Sequence, residues 1–361
     1  MGAKIASLSF QKPKWVVLQV TEKCNLRCKM CYEWGDSGSY FHKNDLRELD
    51  IDVAKRVLEE LSEAKPYLEL FGGEPLMYPH LRPLLEKIQE IGCMVDIPTN
   101  GTLLEKHADL LVETEVRRIW VSIDGPEEIN DAQRGKGVYQ RALRGLRAVA
   151  AAKRNRNAQY PLLGVTMVVT PLNYRYVESF FRGLLEEDIL DNVSIEFQLY
   201  TTKERYDDYL QFVKKEFSIE PDASSMAGGL IRSIADFQEV DIDDLTAQVK
   251  AIRELCARKK VNCIGYPKTM THENVERFYK GDWEHMTDKR SKCSFPWIYM
   301  EISANGDVSP CHTFYDVCVG NVYRENIMDI WKGSVYQEFR RKMRNKLSPI
   351  CSSCSRYYSD L

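Results

Sequence analysis

No apolar run in this 361-residue chain comes near the ~18 uncharged positions that a membrane-spanning helix needs. The N-terminal stretch MGAKIASLSFQKPKW has no long apolar centre, which argues against a secretion signal. Its sixth position is Ala rather than Ser or Thr, so the myristoylation pattern is also missing. A formal net charge of −3 supplies no excess of either sign to hold nucleic acid or a membrane surface. Repeats and low-complexity tracts are absent. The expected compartment is therefore the cytosol, where eleven cysteines serve as reduced thiols or metal ligands rather than structural disulfides. Two basic stretches, Arg141–Asn157 and Arg340–Lys346, read as solvated helix faces.

What the chain does have is an alternation of strand and helix patterns. Short β-rich runs at 15–20, 67–71, 93–98, 116–123, 162–169 and 193–200 are separated by amphipathic segments. Either Asp50 or Asp52 caps the first of these helices, and Gly92 closes the second. Such alternation predicts a parallel α/β sheet with right-handed crossovers. Six units fall short of the eight in a closed barrel, so a partial TIM-like barrel or open crescent is expected. From 201 to 290 the pattern turns to charged amphipathic helices, and from 291 to 361 to a turn-rich, cysteine-bearing segment. The expected divisions are 1–200, 201–290 and 291–361.

The unusual residues gather at the C-terminal ends of the expected strands, where α/β folds place ligands. Cys24, Cys28 and Cys31 follow the first strand, and GGEP (Gly72, Gly73, Glu74, Pro75) follows the second. TNG, with Asn100, follows the third, SIDG, with Ser122 and Asp124, the fourth, and Thr170–Pro171 the fifth. Three clustered thiolates are soft ligands suited to zinc or an iron–sulfur cluster. A structural zinc site is closed by four ligands, yet this loop has no fourth Cys, and His42 lies eleven residues past Cys31. A four-iron cluster on three thiolates would keep one iron open.

CNLRCKMC (Cys24 to Cys31), with its C-x3-C-x2-C spacing after a first strand, resembles the signature of the radical S-adenosylmethionine (radical SAM) superfamily. The resemblance extends over roughly residues 15–200 through GGEP and SIDG. It implies a partial (β/α)6 TIM-like barrel, a SAM-binding [4Fe–4S] cluster on Cys24, Cys28 and Cys31, and S-adenosylmethionine on the open iron. It further implies that Gly72, Gly73, Glu74 and Pro75 meet the methionine amino group and that Ser122 and Asp124 meet the ribose. Asn100 joins this cofactor-binding set, and Arg134 is either the partner of the cofactor carboxylate or a surface arginine. The family favours an aromatic residue before the third cysteine; here Met30 stands there, so adenine packing falls to Met30 or to Tyr32.

Cys293, Cys311, Cys351 and Cys354 resemble the ligand set of the twitch domain, a smaller relative of the SPASM domain. This implies a small α+β domain with one auxiliary [4Fe–4S] cluster; a closed zinc site with the same thiolates is the alternative. Cys318 is either an added ligand or a bystander, His312 a neighbour rather than a ligand, and Cys93 a small core residue on the third strand. Cys256 and Cys263 flank a helix end. The activity implied is reductive cleavage of S-adenosylmethionine to a 5′-deoxyadenosyl radical that abstracts a substrate hydrogen. An oxidation or rearrangement of a small molecule or of a cofactor or natural-product precursor is expected. The first strand starts near residue 15, leaving no fused leader-binding module, which weighs against a peptide substrate. A peptide or protein maturase is the second reading, and a non-catalytic zinc or iron–sulfur protein the third. A low-potential donor such as ferredoxin or flavodoxin would supply the electron.

Overall fold

The computed structural model describes residues 12–220, 226–287, 293–313, 316–344 and 346–354. Ten strands form one sheet: β1 (Trp15–Thr21), β2 (Tyr67–Gly72), β3 (Val95–Thr99), β4 (Arg118–Ser122), β5 (Leu162–Val169), β6 (Asn192–Phe197), β7 (Asn262–Tyr266), β8 (Tyr299–Ile302), β9 (Asp307–Ser309) and β10 (Gly320–Asn321). Their spatial order is β10-β9-β8-β1-β2-β3-β4-β5-β6-β7, so the sheet is open between β7 and β10. Pairings from β1 to β7 are all parallel. The architecture is a partial TIM-like barrel with a small C-terminal region.

Helices α1 (Ile51–Glu60), α2 (Leu81–Ile91), α3 (Leu104–Glu113), α4 (Glu127–Arg134), α5 (Val138–Asn155) and α6 (Val177–Leu185) make the crossovers. Asp50 caps α1 by accepting from the Asp52 and Val53 amides, a contribution of ~1 kcal/mol. Gly92 ends α2 in the left-handed region at φ 71°. Val16, Leu18 and Val20 of β1 join the large core under the helices. Their neighbours Trp15 and Val17 belong to a separate cluster with Phe295, Ile298 and Tyr299. Period-two alternation thus divides β1 between a helix-covered face and an inner face.

Three expectations are corrected here. The 201–290 segment contains helices α7 (Lys203–Phe217), α8 (Ile242–Lys259) and α9 (His272–Tyr279) but also β7, which extends the sheet beside β6. The C-terminal segment joins the same sheet: β8 pairs in parallel with β1, aligning Val17 with Glu301, and β9 and β10 follow antiparallel. The last helices, α10 (Ile327–Lys332) and α11 (Ser334–Met343), complete it. Arg340, expected on a solvated face, is buried, donating to Pro296 O (2.8 Å) and Trp331 O (2.7 Å) and stacking on Trp331 and Tyr336. A guanidinium can face aromatic rings while its edge donates; Nε and Nη1 are bonded here, and Nη2 is buried without a hydrogen-bond partner among the described residues. Cys93 lies in the turn before β3, not on the strand. Among the described residues, no helix is long and apolar enough to cross a membrane.

Candidate functional site

A register shift between Gln19 and Thr21 ends β1 and launches the cysteine loop. Thr21 Oγ1 accepts from Lys23 N (3.1 Å), and the loop then winds around its own sulfurs. Leu26 N donates to Cys24 Sγ at 3.4 Å and Trp34 N to Cys31 Sγ at 3.3 Å. Arg27 lies 3.9 Å over the Trp34 ring and donates to Cys24 O and Leu26 O, while Trp34 Nε1 donates to Glu22 O. Burial pushes the Cys24 thiol up to about 12 and the Cys31 thiol up to about 11. Burial also raises Cys28, against the downward pull of the Arg134 guanidinium beside it.

Gly72 and Gly73 carry the β2 chain against this loop. A Cβ on Gly72, at φ +144°, would sit 2.1 Å from Thr21 O, and one on Gly73 2.4 Å from Lys23 O. The approach lets Gly73 N donate to Thr21 O and Glu74 N to Lys23 O, each at 2.9 Å. Glu74 is buried; its Oε1 accepts from Thr99 Oγ1 (2.7 Å) and Leu76 N (3.1 Å), and its Oε2 from Asn100 N (2.8 Å). Pro75 opens the short turn that follows. Asn100 donates to Asn25 Oδ1 (2.8 Å) and accepts from Thr102 Oγ1 (2.6 Å), while Asn25 donates back to Thr102. Asn25 and Thr102, polar neighbours of the motifs, were not singled out in the sequence.

Ser122 ends β4, half-buried. Asp124 is fully buried, with Oδ2 accepting from Arg134 Nε at 2.6 Å and Oδ1 from Val168 N at 2.9 Å. Its carboxylate holds Arg134 and β5 rather than standing open to a ribose, which departs from the expected direct contact. Arg134 is no surface arginine: it is 8% exposed and lies against Cys28. Gln133, Asn130, Thr170 and Asn173 surround the pair. Thr170 Oγ1 donates to Gln133 Oε1, Asn130 Oδ1 accepts from Asp124 N, and Asn173 donates to Asp124 O and Val168 O. Lys29 N donates to Gln133 O, joining α4 to the cysteine loop. Met30 and Tyr32 are both half-buried; Tyr32 packs with Trp34 and Tyr40 beside Cys24 and Cys31.

In the C-terminal region, burial holds Cys293 up at about 12, and Cys311 well above its ordinary value. Cys311 feels Cys354, Cys293 and Cys351 as like charges, so the four sulfurs form one group although they span 62 positions of sequence. His312 stands next to them, its ring nitrogens 3.9 Å from Cys311 Sγ and 3.7 Å from Cys354 Sγ. Cys318 is exposed and donates to Gly320 O (3.1 Å) and Asp307 Oδ1 (3.6 Å). Among the described residues, no three His, Cys, Asp or Glu side chains lie close enough to hold a single metal ion. A zinc tetrahedron, with sulfurs ~4 Å apart, is not preformed. Both donor sets are all-thiol, soft, and mutually repulsive once ionised, which fits a multi-iron sulfide core.

The radical SAM superfamily profile matches residues 18–184, and that of an iron–sulfur cluster-binding domain, SPASM, residues 293–355. The tungsten-containing aldehyde ferredoxin oxidoreductase cofactor-modifying protein of Pyrococcus furiosus is 24% identical over 365 aligned residues, covering 95% of this chain and 87% of that protein. The Fe-coproporphyrin III synthase of Methanosarcina barkeri is 33% identical over 187 residues, 50% of this chain and 44% of that protein. Streptococcus suis SuiB bound to S-adenosylmethionine superposes with a TM-score of 0.66 at 16% identity, over 96% of this chain and 72% of that one. The anSMEcpe structure with bound AdoMet gives 0.61 at 16%, over 95% and 87%. The chain belongs to the radical SAM superfamily, carries a C-terminal SPASM domain, and is an enzyme whose cofactors are S-adenosylmethionine, a SAM-binding [4Fe–4S] cluster and an auxiliary [4Fe–4S] cluster.

Proposed function

We propose that the enzyme oxidises or rearranges a small molecule of the cofactor-precursor kind by hydrogen abstraction. When bound, the cluster and S-adenosylmethionine supply a 5′-deoxyadenosyl radical, the hydrogen-abstracting agent. The chain's part is to bind, orient and enclose. Cys24, Cys28 and Cys31 hold the SAM-binding cluster, and Cys293, Cys311, Cys351 and Cys354 the auxiliary one. Gly72 and Gly73 bring backbone up to the methionine end, and Glu74 and Pro75 shape that wall. Arg134 orients the cofactor carboxylate, Asp124 holds Arg134 in place, and Ser122 and Asn100 border the ribose side. Met30 and Tyr32 flank the adenine. A low-potential ferredoxin- or flavodoxin-type protein delivers the electron. Segments 1–200, 201–290 and 291–361 divide the work into radical generation, substrate shaping and auxiliary-cluster binding.

One observation carries the reading. The three-thiol loop is closed by Gly73–Glu74 on one side and by Arg134 on the other, leaving a cationic donor beside an incomplete ligand set. The substrate class is supported by the relative that spans nearly the whole chain, whose name is that of a cofactor-modifying protein. Shorter matches are named Fe-coproporphyrin III synthase, pre-heme d1 synthase and GTP 3′,8-cyclase. A second reading, a peptide maturase, is favoured by the fold shared with SuiB, solved with its precursor peptide.

The test is anaerobic reconstitution followed by dithionite and S-adenosylmethionine. It is expected to yield 5′-deoxyadenosine with native protein and none with Cys28→Ala. Adding fractions of a deuterium-grown cell extract then separates the substrate classes. Deuterium in 5′-deoxyadenosine from the low-molecular-mass fraction supports the first reading; deuterium from the peptide fraction alone replaces it with the second. Cleavage that persists in Cys28→Ala would overturn the cluster assignment.

A further inference from the structure

Away from both thiol sets, two cysteines face each other across the junction of α8 and β7. Cys256 is in the last turns of α8 and fully buried; Cys263 is the second residue of β7 and half-buried. The turn between them is tight: Lys260 takes the left-handed conformation (φ 59°), and Val261 N donates to Cys256 O at 2.9 Å. Each thiol acts on the other's proton, Cys256 holding its own more tightly and Cys263 less. Cys263 also lines an open groove of about 610 Å³ over the edge strand, together with Arg253, Ala257, Tyr266 and Lys268. Arg253 is anchored there by its bond to Lys268 O at 3.1 Å.

We propose that Cys263 and Cys256 form a thiol–disulfide exchange site for a low-molecular-weight disulfide that carries carboxylates, of the glutathione disulfide type. The two cysteines divide the roles by exposure. Cys263 opens to the groove and attacks, while Cys256, shielded behind it, resolves. In the first step the Cys263 thiolate attacks one sulfur of the small disulfide, the S–S bond breaks, and one thiolate leaves. In the second, Cys256 loses its proton to solvent and attacks Cys263 Sγ, and the second small thiolate leaves. The protein loses two electrons and two protons, and the disulfide becomes two thiols. The neighbouring Cys256 thiol and the Arg253 cation both lower the proton affinity of Cys263, offsetting its burial. The thiolate is the attacking species, so this favours Cys263 as the nucleophile. The Cys263 thiol in turn raises Cys256, and that restraint is relieved once Cys263 is held in a mixed disulfide. Arg253 and Lys268 put cationic groups at the groove, matching an anionic reagent.

Trypsin separates the pair, because Arg258, Lys259 and Lys260 lie between them. The cluster-loaded protein is exposed anaerobically to glutathione disulfide, quenched by alkylation, and digested. The expected product is a cross-linked peptide pair joining Cys256 to Cys263. Cys256→Ser, or Cys256→Ala should the buried hydroxyl disturb folding, is expected to stop at glutathione on Cys263; Cys263→Ser is expected to leave Cys256 unreacted. Cys318, an exposed thiol outside any such pair, is the internal reference, and Cys263 is expected to react about tenfold faster or more. Arg253→Gln is expected to slow the reaction with glutathione disulfide severalfold more than with uncharged 2-hydroxyethyl disulfide. An uncrosslinked pair, or a Cys263 rate no higher than that of Cys318, overturns the proposal. Equal slowing of both reagents in Arg253→Gln overturns the assignment of an anionic partner.

Discussion

Replacing Asp124 by Asn leaves the Arg134 guanidinium buried without its counter-charge. Asp124 is 0% exposed and Arg134 8%, so water screens little of their interaction. The new amide keeps the bond from Val168 N through its oxygen, but its NH2 then faces the arginine, donor against donor. Removing one partner of a buried pair costs ~3–5 kcal/mol, which predicts a fall in melting temperature on the order of 5–10 °C. Asp124→Asn combined with Arg134→Gln lets the new amide donate to the glutamine carbonyl and removes the stranded charge. That double variant is expected to recover at least half of the lost stability. Its affinity for S-adenosylmethionine is another matter: loss of a charged hydrogen bond to the carboxylate, ~1.5–3 kcal/mol, weakens binding roughly 10- to 150-fold. Thermal unfolding and equilibrium dialysis on anaerobically reconstituted protein read the two effects separately. A single variant shifted by less than ~1 kcal/mol would refute the buried-pair argument. A double variant that binds S-adenosylmethionine like the native chain would leave Arg134 a purely structural residue.

Other consequences are open to measurement. Native protein is expected to carry about eight irons and Cys28→Ala about four; loss of all iron in that variant would mean the two thiol sets do not load independently. Cys318→Ala is expected to retain the full iron content, because its thiol is bonded to Gly320 and Asp307; a loss of about four irons would make it a ligand. Gly73→Ala drives a Cβ into Lys23 O, so it is expected to impair loading of the first cluster while leaving the auxiliary one in place. The thiols of Cys24 and Cys31 hold their protons more tightly than ordinary cysteines. Metal binding must displace those protons, so cluster assembly strengthens as pH rises from 6.5 to 8.5; assembly rates independent of pH would contradict this.

Much of the barrel was legible because its signals are local. Six strand runs, the caps at Asp50 and Gly92, and the motifs at successive strand ends depend on periodicity and on neighbours a few residues apart. The three-thiol loop was legible for the same reason, since spacing within eight residues keeps all three cysteines in one loop. Asp124 shows where this stops. Its SIDG setting suggested an outward ligand contact, and only the fold shows its carboxylate turned inward to Arg134 and Val168. Arg340 misled in the opposite way, because charge alone cannot reveal that Trp331 and Tyr336 form a slot for its guanidinium.

The sequence by itself indicated soft thiolate ligation at each thiol set, the succession of the first six strands along the chain, and which loops share the reactive face. Tertiary structure decided the long-range pairings. It placed β8 beside β1 across nearly 300 residues, added β7 to the sheet, and set Asp124 against Arg134. The physical reason is the same in each case. Periodicity records which face of an element is buried, but the partner that buries it is chosen by the packing of the whole chain.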